Sequence, residues 1–101
     1  MVSRHYRQVR VLGDSMVPAL TDGDLLLAKL AAPVRPDDLV LVRWPSRPDQ
    51  LSVKRAMWAE PDGWFVVGDN VAASEDSNRL GPATVLGVIR WRLWPRPWRV
   101  R

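Results

Sequence analysis

Prolines, glycines and Asp/Asn turns interrupt this chain so often that no ten-residue segment keeps a clean helical period. The segments between the breaks are β-like. Residues 7–12, 25–31, 39–44, 50–57, 64–67 and 84–94 are rich in Val, Leu, Ile and Trp and read as strands. Pro45-Ser46-Arg47-Pro48-Asp49 reads as a hairpin loop, Glu60-Pro61-Asp62-Gly63 as a turn, and residues 68–82 as an irregular loop. Pro95 and Pro97 are expected to stop the last strand. Short strands joined by such turns predict an all-β domain, a small, partly closed β-barrel.

A chain of 101 residues makes one domain, residues 1–101, with a modest core. With no cysteine and one histidine, His5, disulfides and thiol catalysis are excluded and a dedicated zinc site is disfavoured. The apolar run at 25–28 ends at Lys29, far short of the roughly 20 residues of a spanning helix. The basic N-terminus lacks an apolar stretch after it and does not read as a secretory signal, so a cytoplasmic location is expected. The net charge of +4 is carried by the ends. Three arginines lie in residues 1–10 and five in 90–101, leaving seven basic against eleven acidic residues between them. Residues 90–101 are read as a basic Trp/Arg tail whose arginines lie over tryptophans in a final strand. That pattern leaves a peripheral contact with an anionic membrane surface or a partner open.

Chemistry concentrates at Gly13-Asp14-Ser15-Met16-Val17-Pro18. Ser15 falls between a Val-rich strand and a proline, so its hydroxyl can project from a turn. The lone histidine sits near the N-terminus, which makes a lysine the better base. Lys54 lies in an alternating segment where its amine could point inward, and burial disfavours the ammonium. A neutral Lys54 could take the Ser15 proton during attack on a carbonyl and return it to the leaving amine. Met16 is expected beside Lys54, where a thioether would keep the amine dry along with Val53.

Four boxes in order carry a resemblance: Gly13-Asp14-Ser15-Met16-Val17-Pro18-Ala19-Leu20, Gly23-Asp24-Leu25-Leu26-Leu27, Val53-Lys54-Arg55, and Gly68-Asp69-Asn70 with Ser74-Glu75-Asp76-Ser77. Together they resemble the type I signal peptidase family of Ser/Lys peptidases, over most of residues 9–93. The chain looks most like the soluble nickel-type superoxide dismutase maturation proteases. The resemblance implies the β-barrel catalytic core of that family, Ser15 as nucleophile, Lys54 as general base, and no cofactor or metal. It makes Ser74 the hydroxyl that bonds the lysine, and Asp69 and Asp76 structural acids. The nucleophile's N–H would form part of the oxyanion hole. Gly13 stands where some members have a further serine donor, so the second donor must be a backbone N–H or a water. The usual Asp-Ser-Arg is here Asp76-Ser77-Asn78-Arg79, so either Arg79 reaches Asp76 from a shifted loop or that ion pair is lost.

The function expected from this reading is a serine endopeptidase that removes an N-terminal extension from a precursor through an acyl-enzyme. The resemblance makes the partner a nickel superoxide dismutase proform. The rivals are a shortened signal peptidase, another self-cleaving Ser/Lys domain, and a non-enzymatic barrel that binds nucleic acid. An acidic middle argues against the last, and no nucleic-acid partner is expected.

Overall fold

The computed structural model describes residues 5–100. The outermost parts of the two basic ends, residues 1–4 and 101, lie outside the described residues. Seven strands are present: β1 (Tyr6–Arg10), β2 (Leu25–Leu30), β3 (Leu39–Trp44), β4 (Arg47–Glu60), β5 (Gly63–Val67), β6 (Thr84–Trp94) and β7 (Trp98–Arg99). A 3-10 turn (Val71–Ala73) and one turn of helix, α1 (Ser77–Leu80), interrupt the segment between β5 and β6. The domain is all-β, as expected.

All strand pairings are antiparallel, in the order β1-β2-β6-β3-β4-β5, with β7 added to β6. The sheet curls on itself without closing fully. Trp64 of β5 and Ala83, just before β6, exchange backbone hydrogen bonds of 2.9 and 2.8 Å, which makes the barrel partly closed.

Strand β3 is the shared wall. Its period-two alternation sends Leu39 and Leu41 into one apolar cluster with Val11, Met16, Leu20, Leu26, Val53 and Ile89. Val40, Val42 and Trp44 enter a second cluster with Ala56, Val66, Ala83 and Val88. An almost continuous apolar strand is what burial on both faces requires. Each fully buried Leu, Val or Ile contributes roughly 1.5–3 kcal/mol to this frame.

Three departures from the sequence reading have local causes. Strand β4 is longer than 50–57 because Arg47 already pairs with Trp44, leaving Pro45-Ser46 as the turn. Pro48 is accommodated where the β3–β4 register shifts, so its missing N–H breaks no ladder bond. The 68–82 loop holds a helical turn because the Asp76 carboxylate accepts the Asn78 N–H as an N-cap.

The Trp/Arg segment folds back on itself as strand. Residues 84–94 form β6, and the chain then turns back so that Trp98 and Arg99 pair with Arg92 and Trp91. The next residue, Val100, is buried in the first cluster. The arginines do lie over tryptophans, Arg92 5.5 Å from the Trp98 ring centre and Arg99 6.0 Å from that of Trp91. No helix among the described residues is long and apolar enough to cross a membrane.

Candidate active site

Ser15 sits in the long loop between β1 and β2, half-buried. The loop is tied at its foot. Val11 donates to Asp24 O and Gly23 to Val11 O, both at 2.8 Å. Asp24, 3% exposed, accepts from the Thr21 N–H and hydroxyl and lies 3.9 Å from the Arg92 guanidinium. Gly23-Asp24 therefore sets the turn and also anchors the loop to β6. Gly13 adopts a positive φ of 83°, a conformation that favours glycine, and its N–H donates to Asp22 Oδ1 at 2.6 Å. That bond occupies the Gly13 N–H.

The far side of the Ser15 turn leans on the segment after β5. Asn70 donates its N–H to Ser15 O at 2.8 Å and its side-chain amide to Asp14 O at 3.0 Å. The Asp69 N–H points to Met16 Sδ at 3.4 Å. Buried Gly68 is the contact point. A β-carbon there would overlap Ser74 Oγ and Cβ and stand 2.9 Å from Ser15 O. Only hydrogen at this position lets the Ser15 backbone and the Ser74 side chain approach together.

Lys54 lies on β4, 4% exposed, and donates to Ser74 Oγ at 3.1 Å. None of the ion pairs among the described residues includes it. Burial pushes its amine below the ordinary lysine value, against a smaller upward pull from Asp76 and then Glu75. Val40 is its cross-strand partner, on the face shared with Val42, Trp44 and Ala56. Of the expected neighbours, Val53 is not on this face. Alternation turns Val53 to the other face of β4, where it joins Met16 in the first cluster.

Ser15 and Lys54 line the same cavity of about 220 Å³, together with Gly13, Asp14, Trp44, Arg47, Ser52 and Glu75. A second cleft of about 170 Å³, lined by Val9, Val11, Met16, Leu51 and Val53 among others, adjoins it at Ser15. Both run between the Ser15 loop and residues 50–53 of β4. Among the described residues no cluster of three or more His, Cys, Asp or Glu is placed to hold a metal.

Asp69 is held by Arg55 through bonds of 3.1 and 2.7 Å, and the same guanidinium donates to Asp37 O. Asp76 accepts from Gly68 N–H at 3.2 Å, from Asn78 N–H and from the Asn78 side-chain amide at 3.1 Å. Asn78 thus fills the position of the missing arginine, and Arg79 pairs with Glu75 at 3.7 Å instead. Sequence reasoning missed the supporting roles of Arg55, Gly68 and Asn78. Arg55 and Gly68 stood in the motif boxes, and Asn78 is the residue at which Asp-Ser-Arg is broken. Glu75 stood in a motif box too, while Arg47 was missed with no such signal.

Residues 1–89 match the Peptidase S24-like family. The chain belongs to that family. It is also similar to the mitochondrial ATP-independent inner membrane protease subunit 1b of Arabidopsis thaliana. The two are 31% identical over 114 residues, an alignment covering 82% of this chain and 67% of the relative. The protein is a serine peptidase of the signal-peptidase type.

Proposed function

We propose that this peptidase uses Ser15 as nucleophile and Lys54 as general base to cleave an N-terminal extension from a precursor protein. The observation that carries the reading is a buried lysine amine without a carboxylate partner, bonded to a serine hydroxyl, in the cavity that Ser15 lines. A precursor strand lies in the cleft between the Ser15 loop and β4, adding to the sheet edge. The neutral amine removes the Ser15 proton as Oγ attacks the scissile carbonyl. The C–N bond then breaks, the lysine returns the proton to the leaving amine, and the acyl group remains on Ser15. Water attacks the ester with the same amine as base and restores the serine. The Ser15 N–H supports the oxyanion, while Ser74 orients the amine. Asp69 and Asp76 are structural, and neither transfers a proton.

The substrate we assign is a nickel superoxide dismutase proform, on the resemblance of the motif boxes. The named relative favours a second reading, leader cleavage at a membrane, because it is an inner membrane protease subunit. Incubation with a nickel superoxide dismutase precursor and with leader-bearing membrane precursors tests both, read by intact mass and N-terminal sequencing. One new N-terminus from the dismutase precursor, absent with Ser15→Ala, is the expected result. Cleavage confined to the leader-bearing precursors would overturn the substrate assignment, and cleavage by Ser15→Ala would overturn the mechanism.

A further inference from the structure

The loop carrying Ser74 is fastened to β4 at two points, not one. Lys54 bonds Ser74, and seven residues earlier on the same strand Arg47 grips the next loop residue, Glu75, at 2.8 and 3.2 Å. Both residues of this bidentate pair line the cavity that holds Ser15 and Lys54. We propose that Arg47 and Glu75 are positioning residues, a clasp that holds Ser74 over the Lys54 amine and keeps the Glu75 carboxylate from serving as the amine's counter-ion. The proposal rests on the Ser15/Lys54 reading and concerns how that pair is kept ready.

The charges around the amine can be named element by element. The segment after β5 brings Glu75 and Asp76, and the nucleophile loop brings Asp14. Strand β4 itself brings Arg47 and β3 the uncharged Trp44, while α1 brings Leu80 and, through its 3.7 Å ion pair with Glu75, the largely exposed Arg79. Asp69 is committed to Arg55. Asp76 is held by two backbone N–H groups and the Asn78 amide. Glu75 has the carboxylate held by cationic side chains at the surface, closely by Arg47 and more loosely by Arg79 at 3.7 Å. Arg47 lowers its pKa below the ordinary carboxylate value, first through their hydrogen bonds and then through its charge, with smaller contributions from Arg79 and Lys54. Released from Arg47, it would keep only the looser contact with Arg79 and would be a less compensated anion one residue from the hydroxyl that bonds the amine. A lysine stabilised as ammonium is a poorer base at a given pH.

The two partners thus have opposite electrostatic effects, which a merely structural clasp would not. The chain has two lysines, Lys29 and Lys54, so the full chain made with carbon-labelled lysine gives two side-chain resonances, assigned with Lys29→Arg. Arg47→Gln is expected to move the Lys54 titration, and the basic limb of single-turnover cleavage, to higher pH. Glu75→Gln is expected to move both to lower pH. At a fixed pH on the limb the first change should slow cleavage roughly three- to tenfold, the scale of one screened charge. Arg47→Lys, which keeps the charge, should return the titration towards the parent position and guard against misreading a misfolded Arg47→Gln. Shifts of the same sign in Arg47→Gln and Glu75→Gln, or an unmoved Lys54 titration in both, would overturn the clasp. Failure of the underlying reading looks different: Lys54 in the parent chain would titrate as a free lysine, or Lys54→Ala would still cleave.

Discussion

Gly68→Ala tests the packing that joins nucleophile and base. The new methyl would overlap Ser74 Oγ and Cβ and stand 2.9 Å from Ser15 O, where carbon–oxygen contact needs about 3.5 Å. The Ser15 carbonyl has to retreat by about half an ångström and the Ser74 side chain by about 1.5 Å. A shift of that size breaks the 3.1 Å bond from Lys54 to Ser74. Overpacking of this kind costs about 1–3 kcal/mol, and for a domain this small about 1 kcal/mol lowers Tm by 4–8 °C. The catalytic effect should be larger, because a displacement of about 1 Å in a catalytic group costs on the order of 10²-fold in rate. The assay pairs thermal unfolding with single-turnover cleavage for Gly68→Ala, Ser74→Gly and the double variant. In the Ser74→Gly background most of the overlap is gone, so Gly68→Ala should cost far less stability there, while the rate stays at the Ser74→Gly level. An alanine at 68 with unchanged Tm and rate, or the same stability cost in both backgrounds, would refute the reasoning.

Three further outcomes follow from the site. Ser15→Ala and Lys54→Ala should each abolish precursor cleavage with the far-ultraviolet dichroism intact, the double variant should be no worse than either, and chelators should leave the parent rate unchanged. Ser74→Ala should lower the single-turnover rate without abolishing it, and the parent's basic limb should lie below the free-lysine value of about 10.4, since Ser74 orients an amine that burial has already made less basic. Lys54→Met should be more stable than the parent near neutrality in urea titrations. The native amine holds its proton less firmly than the unfolded one, so parent stability rises with pH between the native value and about 10.4, and the advantage of methionine should shrink across that window.

Much of this was readable from the chain because each strand declares itself locally. Val40 and Val42 alternate with Leu39 and Leu41, and Gly-Asp or Pro-Asp turns separate the runs. The neighbours of Lys54 were not readable. A strand's period fixes that Val53 faces away from Lys54, but only the register shows that Lys54 faces Val40. The end of the chain misled for a related reason. Pro95 and Pro97 do stop β6, yet a turn that stops one strand can start a short return strand, and the β6–β7 pairing depends on that tertiary geometry. The Arg47–Glu75 pair joins residues 28 apart in sequence, and nothing in either segment marks the other.

The most direct measurement of the central claim is the mass and position of the acyl-enzyme. A precursor peptide ester with a small residue before the reacting bond is mixed with excess enzyme and quenched in acid, and the adduct is located by peptide mapping. Esters acylate readily, so the covalent species should accumulate. The account predicts one acyl group, on the peptide that contains Ser15, formed more slowly as pH falls and not formed by Lys54→Ala. An adduct on any other residue, or undiminished acylation of Ser15 in Lys54→Ala, would contradict it.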